Sequence, residues 1–294
     1  MDEKENKMNS YMLIILADIL LAVTFACQKK YQEKAGLSVK ASLVYTILSG
    51  FFSAMIFLVI NRFNVRVTLF SIIMAVVVSV VITIYVFIGF RIMKTGSLSI
   101  YTLFLMSGGM IVPYIYGVLF LNEELSFARI LGLMLIMVAI VVANFSRDKF
   151  DVKQLALCVG VFLLNGAVGV ITKTHQISDA SVTACDFVFL VFLSKIVVSI
   201  LALFFKKGRS STKINVPIKS VILIIFVSAV ADGISYMLQL VGAVNLPATV
   251  LYPLITGGTI ILSSLVDFII YKERLSLRQC IGTGIAFLGT LMFL

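Results

Sequence analysis

Tryptophan is absent from the chain, histidine occurs once, and proline and cysteine occur four times each among 294 residues. Charge is scarce as well: 13% of residues are Asp, Glu, Lys or Arg, where soluble domains carry about a quarter. A lone histidine leaves no material for a His-based metal cluster. Cys27, Cys158, Cys185 and Cys280 show no CxxC spacing and fall inside apolar runs. No nucleophile–base pair and no glycine-rich phosphate loop stands out. The chain therefore reads as neither an enzyme nor the holder of a metal or cofactor. His175 sits at the edge of an apolar run beside Lys173 and Asp179, where a solvated side chain is expected.

What is abundant is apolar surface. Hydrophobic residues make up 61% of the chain and mean hydropathy is +1.11, more than a soluble core of this size can hide. The apolar residues come in long runs broken by short polar stretches, the pattern of helices solvated by lipid. Runs long enough to cross a hydrocarbon core of about 30 Å fall near residues 11–28, 41–60, 69–90, 97–121, 127–145, 154–172, 181–205, 220–242, 246–271 and 277–294. The first ten residues, MDEKENKMNS, are not net positive, and no small-residue cleavage site follows. The first span is therefore expected to be retained rather than removed as a signal peptide.

A net charge of +10 taken alone would suit nucleic acid, but its placement argues otherwise. Of 24 Lys and Arg residues, 17 lie in the breaks after odd-numbered spans, 6 lie on the opposite side, and Lys195 lies within a span. Such a bias orients multispanning proteins, with the basic side cytoplasmic. Both termini are then expected on the other side, and nucleic acid is not an expected partner.

The most specific signal is internal. LNEELSFARILG (121–132) aligns with YKERLSLRQCIG (271–282) at an offset of 150, matching Glu123, Leu125, Ser126 and Gly132 with Glu273, Leu275, Ser276 and Gly282. The same offset carries Ser99 onto Thr249. Nearer the start of each half the offset is 143, which pairs Lys30, Val39 and Ala41 with Lys173, Val182 and Ala184. Seven extra residues in the basic loop KKGRSSTKINVPIK reconcile the two offsets. Each half holds five spans, an odd number, so the second copy enters the membrane from the opposite face. This is the inverted repeat from which many secondary transporters are built. The expected fold is an all-α integral membrane protein of ten transmembrane helices, with repeats at 1–146 and 147–294.

The passages FLNEELSFARILGLMLIMVAIVVANF and YKERLSLRQCIGTGIAFLGTLMF resemble the closing helices of the EamA repeat in the drug/metabolite transporter superfamily. KTGSLSIYTLFLMSGGMIVPYIYGVLF and VNLPATVLYPLITGGTIILSSLVDFII resemble the helix before each. The Trp-Gly pair common in the first helix of such repeats is replaced by Ala22-Val23 and Asn165-Gly166. The resemblance implies a carrier whose first, third, fourth, sixth, eighth and ninth helices line a central cavity. It would place Asp18 and Asn165 there, with Tyr85, Tyr101 and Thr102 as first-half contributors. It also implies a multi-pass protein of the inner (plasma) membrane, with the lipid bilayer and a small polar solute as partners, working as a monomer or homodimer.

Charged groups deep in a bilayer cost at least about 2.5–3.5 kcal/mol each on insertion scales, so the few present become candidates. These are Asp18, Asp186, Lys195, Asp232 and Asp267. On the eighth span Ser228, Asp232, Ser235, Tyr236 and Gln239 share one helical face. On the ninth, Thr249, Tyr252, Thr256, Thr259 and Ser263 form a similar stripe. These two stripes are expected to line a wet cavity, the alternative being hydrogen bonds that glue helices together. Lys195 and Asp232 lie at depths differing by about 3 Å, so an ion-pair switch between them is possible. Asp186 faces away from that pocket. Gly108-Gly109 with Pro113, and Gly257-Gly258 with Pro253, either loosen their helices for gating or kink them statically. Ser126 and Ser276 read as helix N-caps, with Glu123 and Glu273 near the positive end of the helix that each serine opens. Acidic groups at midplane bind ammonium groups or protons, so export of an amino acid or related amine, coupled to protons, is the expected activity. The alternative is a protein that flips lipid head groups.

Overall fold

The structure, a computed structural model, describes residues 3–36, 38–95, 98–144, 152–206, 218–272 and 276–294. It comprises ten helices: α1 (Glu3–Ala35), α2 (Val39–Ile60), α3 (Leu69–Thr95), α4 (Leu98–Phe120), α5 (Phe127–Asn144), α6 (Val152–Gln176), α7 (Ala184–Lys206), α8 (Ile218–Asn245), α9 (Ala248–Ile269) and α10 (Leu277–Leu291). A helix pairs its own backbone groups, the requirement that lipid imposes on any single spanning segment. Eight of them, α1–α4 and α6–α9, are long and apolar enough to cross a membrane. The others are shorter, 18 residues in α5 and 15 in α10; the latter is about 22 Å long. Helix α1 outruns its apolar stretch at both ends, because the flanking Glu, Lys and Gln residues are themselves good helix formers. Large side chains such as Phe120, Phe204 and Leu223 stand exposed, as expected where the outer surface meets acyl chains rather than water.

Packing follows a pattern. Helix α1 lies against α8 and α9, while α6 lies against α3 and α4; α2 meets α7, α4 meets α9, and α5 meets α10. Each contact has a counterpart five helices away. Glycines set the closest approaches. A Cβ added at Gly108 would collide with the Phe162 carbonyl, one at Gly166 with Val112, and one at Gly258 with the Asp18 carboxylate. Helices α4 and α9 continue through Pro113 and Pro253, so these glycines serve helix-to-helix contact, the usual role of small residues in membrane bundles. The turns before α5 and α10 repeat a detail: Asn122 and Lys272, 150 residues apart, both have φ of 52°. Ser276 makes a capping box with Gln279, and the Ser126 hydroxyl accepts from the Arg129 amide at 3.2 Å. Both serines are N-caps.

Candidate functional site

Two cavities meet inside the bundle. One, of about 350 Å³, is lined by the C-terminal part of α1, the N-terminal part of α2, and residues of α3, α4, α7 and α8, including Gln28, Ser42, Tyr45, Tyr101 and Lys195. It reaches Gln32, Gly36 and Ser38, which are exposed at the α1–α2 connection. The other, of about 570 Å³, lies deeper among α1, α3, α4, α6, α8 and α9. Phe25, Tyr85, Leu105 and Asp232 line both, so Asp232 stands at the waist. Much of the deeper wall is apolar, with Leu21, Met106, Val168 and Ile255 facing in.

Beyond the larger cavity polar contacts tie the helices together. The Tyr252 hydroxyl donates to the Gly169 carbonyl and lies 3.3 Å from the Thr172 hydroxyl. Behind it two charges hold the α8–α9 turn. Lys173, 4% exposed, donates through Nζ to the carbonyls of Ala243 (2.5 Å) and Leu246 (2.7 Å) at the end of α8. The Glu123 carboxylate accepts from the amides of Ala248 (2.7 Å) and Thr249 (2.8 Å) at the start of α9. A cation thus sits at a helix C-terminus and an anion at a helix N-terminus, each satisfying groups that helix ends leave unpaired. Glu123 was expected beside the N-terminus of α5; it instead caps α9 in the other half, because the short α4–α5 turn points its side chain across the interface rather than back along the chain. Its repeat partner Glu273 lies outside the described residues.

Residues 153–294 match the EamA-like transporter family. The second half of the chain, α6 to α10, is thus of the EamA type. The crystal structure of a protein is similar to this EamA-type chain over 97% of this chain and 96% of its own length. The TM-score is 0.77 at 15% identity, a likeness of fold alone. No curated protein matches. The EamA-type chain is accordingly a multi-pass membrane transporter.

Within this EamA-type bundle most of the residues singled out from sequence converge. Asn165, Asp232, Tyr236, Gln239, Tyr252, Thr256 and Tyr85 all line the deeper cavity, as does Thr102, while Tyr101 lines the shallower one. Asn165 is also committed, its Nδ2 donating to the Leu105 carbonyl at 2.8 Å. Asp18 departs from expectation. It lines neither cavity, is 3% exposed, and turns toward α9, where the absence of a side chain at Gly258 leaves room for it. The polar stripe of α8 divides: Asp232, Tyr236 and Gln239 face the cavity, whereas Ser228 bonds to the Tyr45 hydroxyl and Ser235 donates to the Ala17 carbonyl at 2.7 Å. The α8 stripe is thus split between cavity lining and hydrogen bonds to neighbouring helices. On α9, Thr249 is buried behind the turn while Tyr252, Thr256, Thr259 and Ser263 line the cavity.

Lys195 and Asp232 line the same 350 Å³ cavity, yet no ion pair joins them among the described residues. The ammonium of Lys195 instead lies 4.6 Å from the Phe192 ring centroid and 5.8 Å from that of Tyr236. Asp186 is buried away from both cavities, accepting from the Thr183 hydroxyl at 2.8 Å at the start of α7. The side chain of Asp267 lies outside the described residues. His175, expected to be solvated, is fully buried. It is stacked between Phe70 and Phe187 and bonded to Ser71 (2.8 Å) and Gln176 (2.9 Å), because α6 ends inside the bundle rather than at its surface. Sequence reasoning missed the wall contributed by α2. Its signal was present: Ser42, Tyr45, Thr46 and Ser49 fall at i, i+3, i+4 and i+7.

Proposed function

We propose that the chain is a secondary carrier that exports a small amine-bearing metabolite, an amino acid or close relative, by alternating access. The reading rests on one observation: a half-buried carboxylate, Asp232, stands at the waist between two joined cavities, one reaching an exposed end and the other bordered beyond by the bonds of Tyr252, Lys173 and Glu123. A carboxylate in a low-dielectric interior with no ion-pair partner among the described residues favours a ligand that supplies one. The same group suits proton coupling, since it can exchange a proton for the substrate ammonium.

Alternation needs two related ends. Ten spanning segments as inverted repeats, 1–146 and 147–294, supply them. The recurring helix contacts and the matched φ of Asn122 and Lys272 support that duplication. So does a contrast between partners in the alignment. Lys173 is buried and doubly bonded, whereas Lys30 is 52% exposed and paired with Glu33 at 3.1 Å. In an inverted repeat this is the signature of one end shut and the other open. The open end is the Lys- and Arg-rich one, cytoplasmic by the positive-inside bias, which is the loading face for export across an inner membrane.

The test is flux through purified protein in liposomes, offered amino acids, simple amines, sugars and nucleobases, with lipid scrambling followed in parallel. Saturable, protein-dependent flux of amine-bearing solutes without scrambling is expected. Flux confined to sugars or nucleobases would refute the amine assignment, and lipid scrambling without solute flux would transfer the site to lipid head groups.

A further inference from the structure

The shallower cavity is lined by two opposite charges, and the carrier reading uses only one. Lys195 lines the shallower cavity together with Asp232, has no ion-pair partner among the described residues, and lies against the rings of Phe192 and Tyr236. Tyr236 stands one helical turn beyond Asp232 on α8 and lines the deeper cavity, where its hydroxyl has no hydrogen-bond partner among the described residues. The Thr259 hydroxyl of the same cavity has none either. Two unlike charges facing one cavity within a membrane would ordinarily collapse onto each other, because each alone is costly there. Here the ammonium lies against aromatic rings instead, which keeps the two charges available to a third party.

We propose that Lys195 is a substrate-binding residue that takes a carboxylate while Asp232 takes the ammonium of the same molecule, so that the transported solute is a zwitterionic α-amino acid. The geometry also orients it. Both charges border the 350 Å³ cavity with its Ser, Thr, Gln and Tyr walls, whereas beyond Asp232 the larger cavity sets Leu21, Met106, Val168 and Ile255 among its Thr, Tyr and amide groups. An amino acid with its charged end at the waist would project its side chain into that apolar space, which favours a bulky hydrocarbon side chain over a small polar one. This inference rests on the carrier reading above and deepens it.

The experiment measures flux of L-leucine, its decarboxylated amine isoamylamine, its deaminated acid 4-methylpentanoate, and L-serine in liposomes holding the native chain, Lys195→Gln or Lys195→Arg. A charge-assisted contact of this kind is worth enough to discriminate by a factor of ten or more. The native chain should favour leucine over isoamylamine, 4-methylpentanoate and serine by at least about tenfold in kcat/KM. Lys195→Gln should raise the KM for leucine about tenfold without raising that for isoamylamine, and lysine should be largely replaceable by arginine. Equal handling of leucine and isoamylamine by the native chain, or an equal loss for both in Lys195→Gln, would overturn the assignment while leaving an amine carrier standing. Competition by phosphoethanolamine but not by leucine would overturn it in favour of a lipid head group. Absence of saturable flux for every probe would remove the carrier reading itself, and the zwitterion site with it.

Discussion

Asp232→Asn should abolish transport, lowering kcat/KM for an amine-bearing substrate by at least about a hundredfold while the protein still inserts and folds. Asparagine keeps the size and the hydrogen-bonding shape of the side chain but removes its charge. A substrate ammonium entering the waist would then lose its counter-ion after shedding its water. Removing one member of a buried ion pair costs about 3–5 kcal/mol, and each 1.4 kcal/mol is a factor of ten. Folding should be spared, because Asp232 makes no ion pair with the described residues whose loss would destabilise the bundle. Flux in liposomes, read beside a thermal unfolding profile, measures both quantities. Transport within about threefold of native would remove Asp232 from the substrate path.

The second large effect is expected at the closed end. Glu123→Ala should speed hydrogen exchange at the amides of Ala248 and Thr249 by about a hundredfold, a change of roughly 3 kcal/mol in the opening equilibrium. Those amides donate to the Glu123 carboxylate, and hydrogen bonds to charged acceptors contribute about 1.5–3 kcal/mol each. Lys173→Met should loosen the same turn from its other side, since Lys173 holds the carbonyls of Ala243 and Leu246. Unlike Asp232→Asn, these changes act on which end is open rather than on what binds. Unchanged exchange in Glu123→Ala would show that the α8–α9 turn is held by apolar packing and not by its charged caps.

Much of this architecture was legible in the sequence, for a physical reason. Lipid forbids unpaired backbone, so long apolar runs leave helix as the one option, and the runs gave each of the ten helices to within several residues. The lining of the deeper cavity was legible too, because a polar side chain deep in an apolar run must find a polar neighbour. That rule does not say which neighbour. Asp18 satisfied the same criterion as Asp232, yet close packing at Gly258 drew it to α9, and Ser228 and Ser235 were taken up by Tyr45 and the Ala17 carbonyl. Partners across helices depend on tertiary contact, which periodicity along one helix cannot encode. Glu123 illustrates this most clearly. Its place in the repeat marked it as structural, but the helix end that it caps lies 125 residues further along the chain.

The central claim is that one water-accessible chamber opens to each face in turn, and a single reporter tests it most directly. With the four native cysteines replaced, Thr256→Cys places a thiol in the deeper cavity. A membrane-impermeant maleimide can then be applied to either face of oriented vesicles. The account predicts labelling from the Lys- and Arg-rich face alone in the otherwise native chain, and labelling from the opposite face once Lys173→Met releases the closed end. A thiol that reacts from neither face would mean dry packing, and one that reacts from both faces at once would mean an open pore; either result would contradict the account.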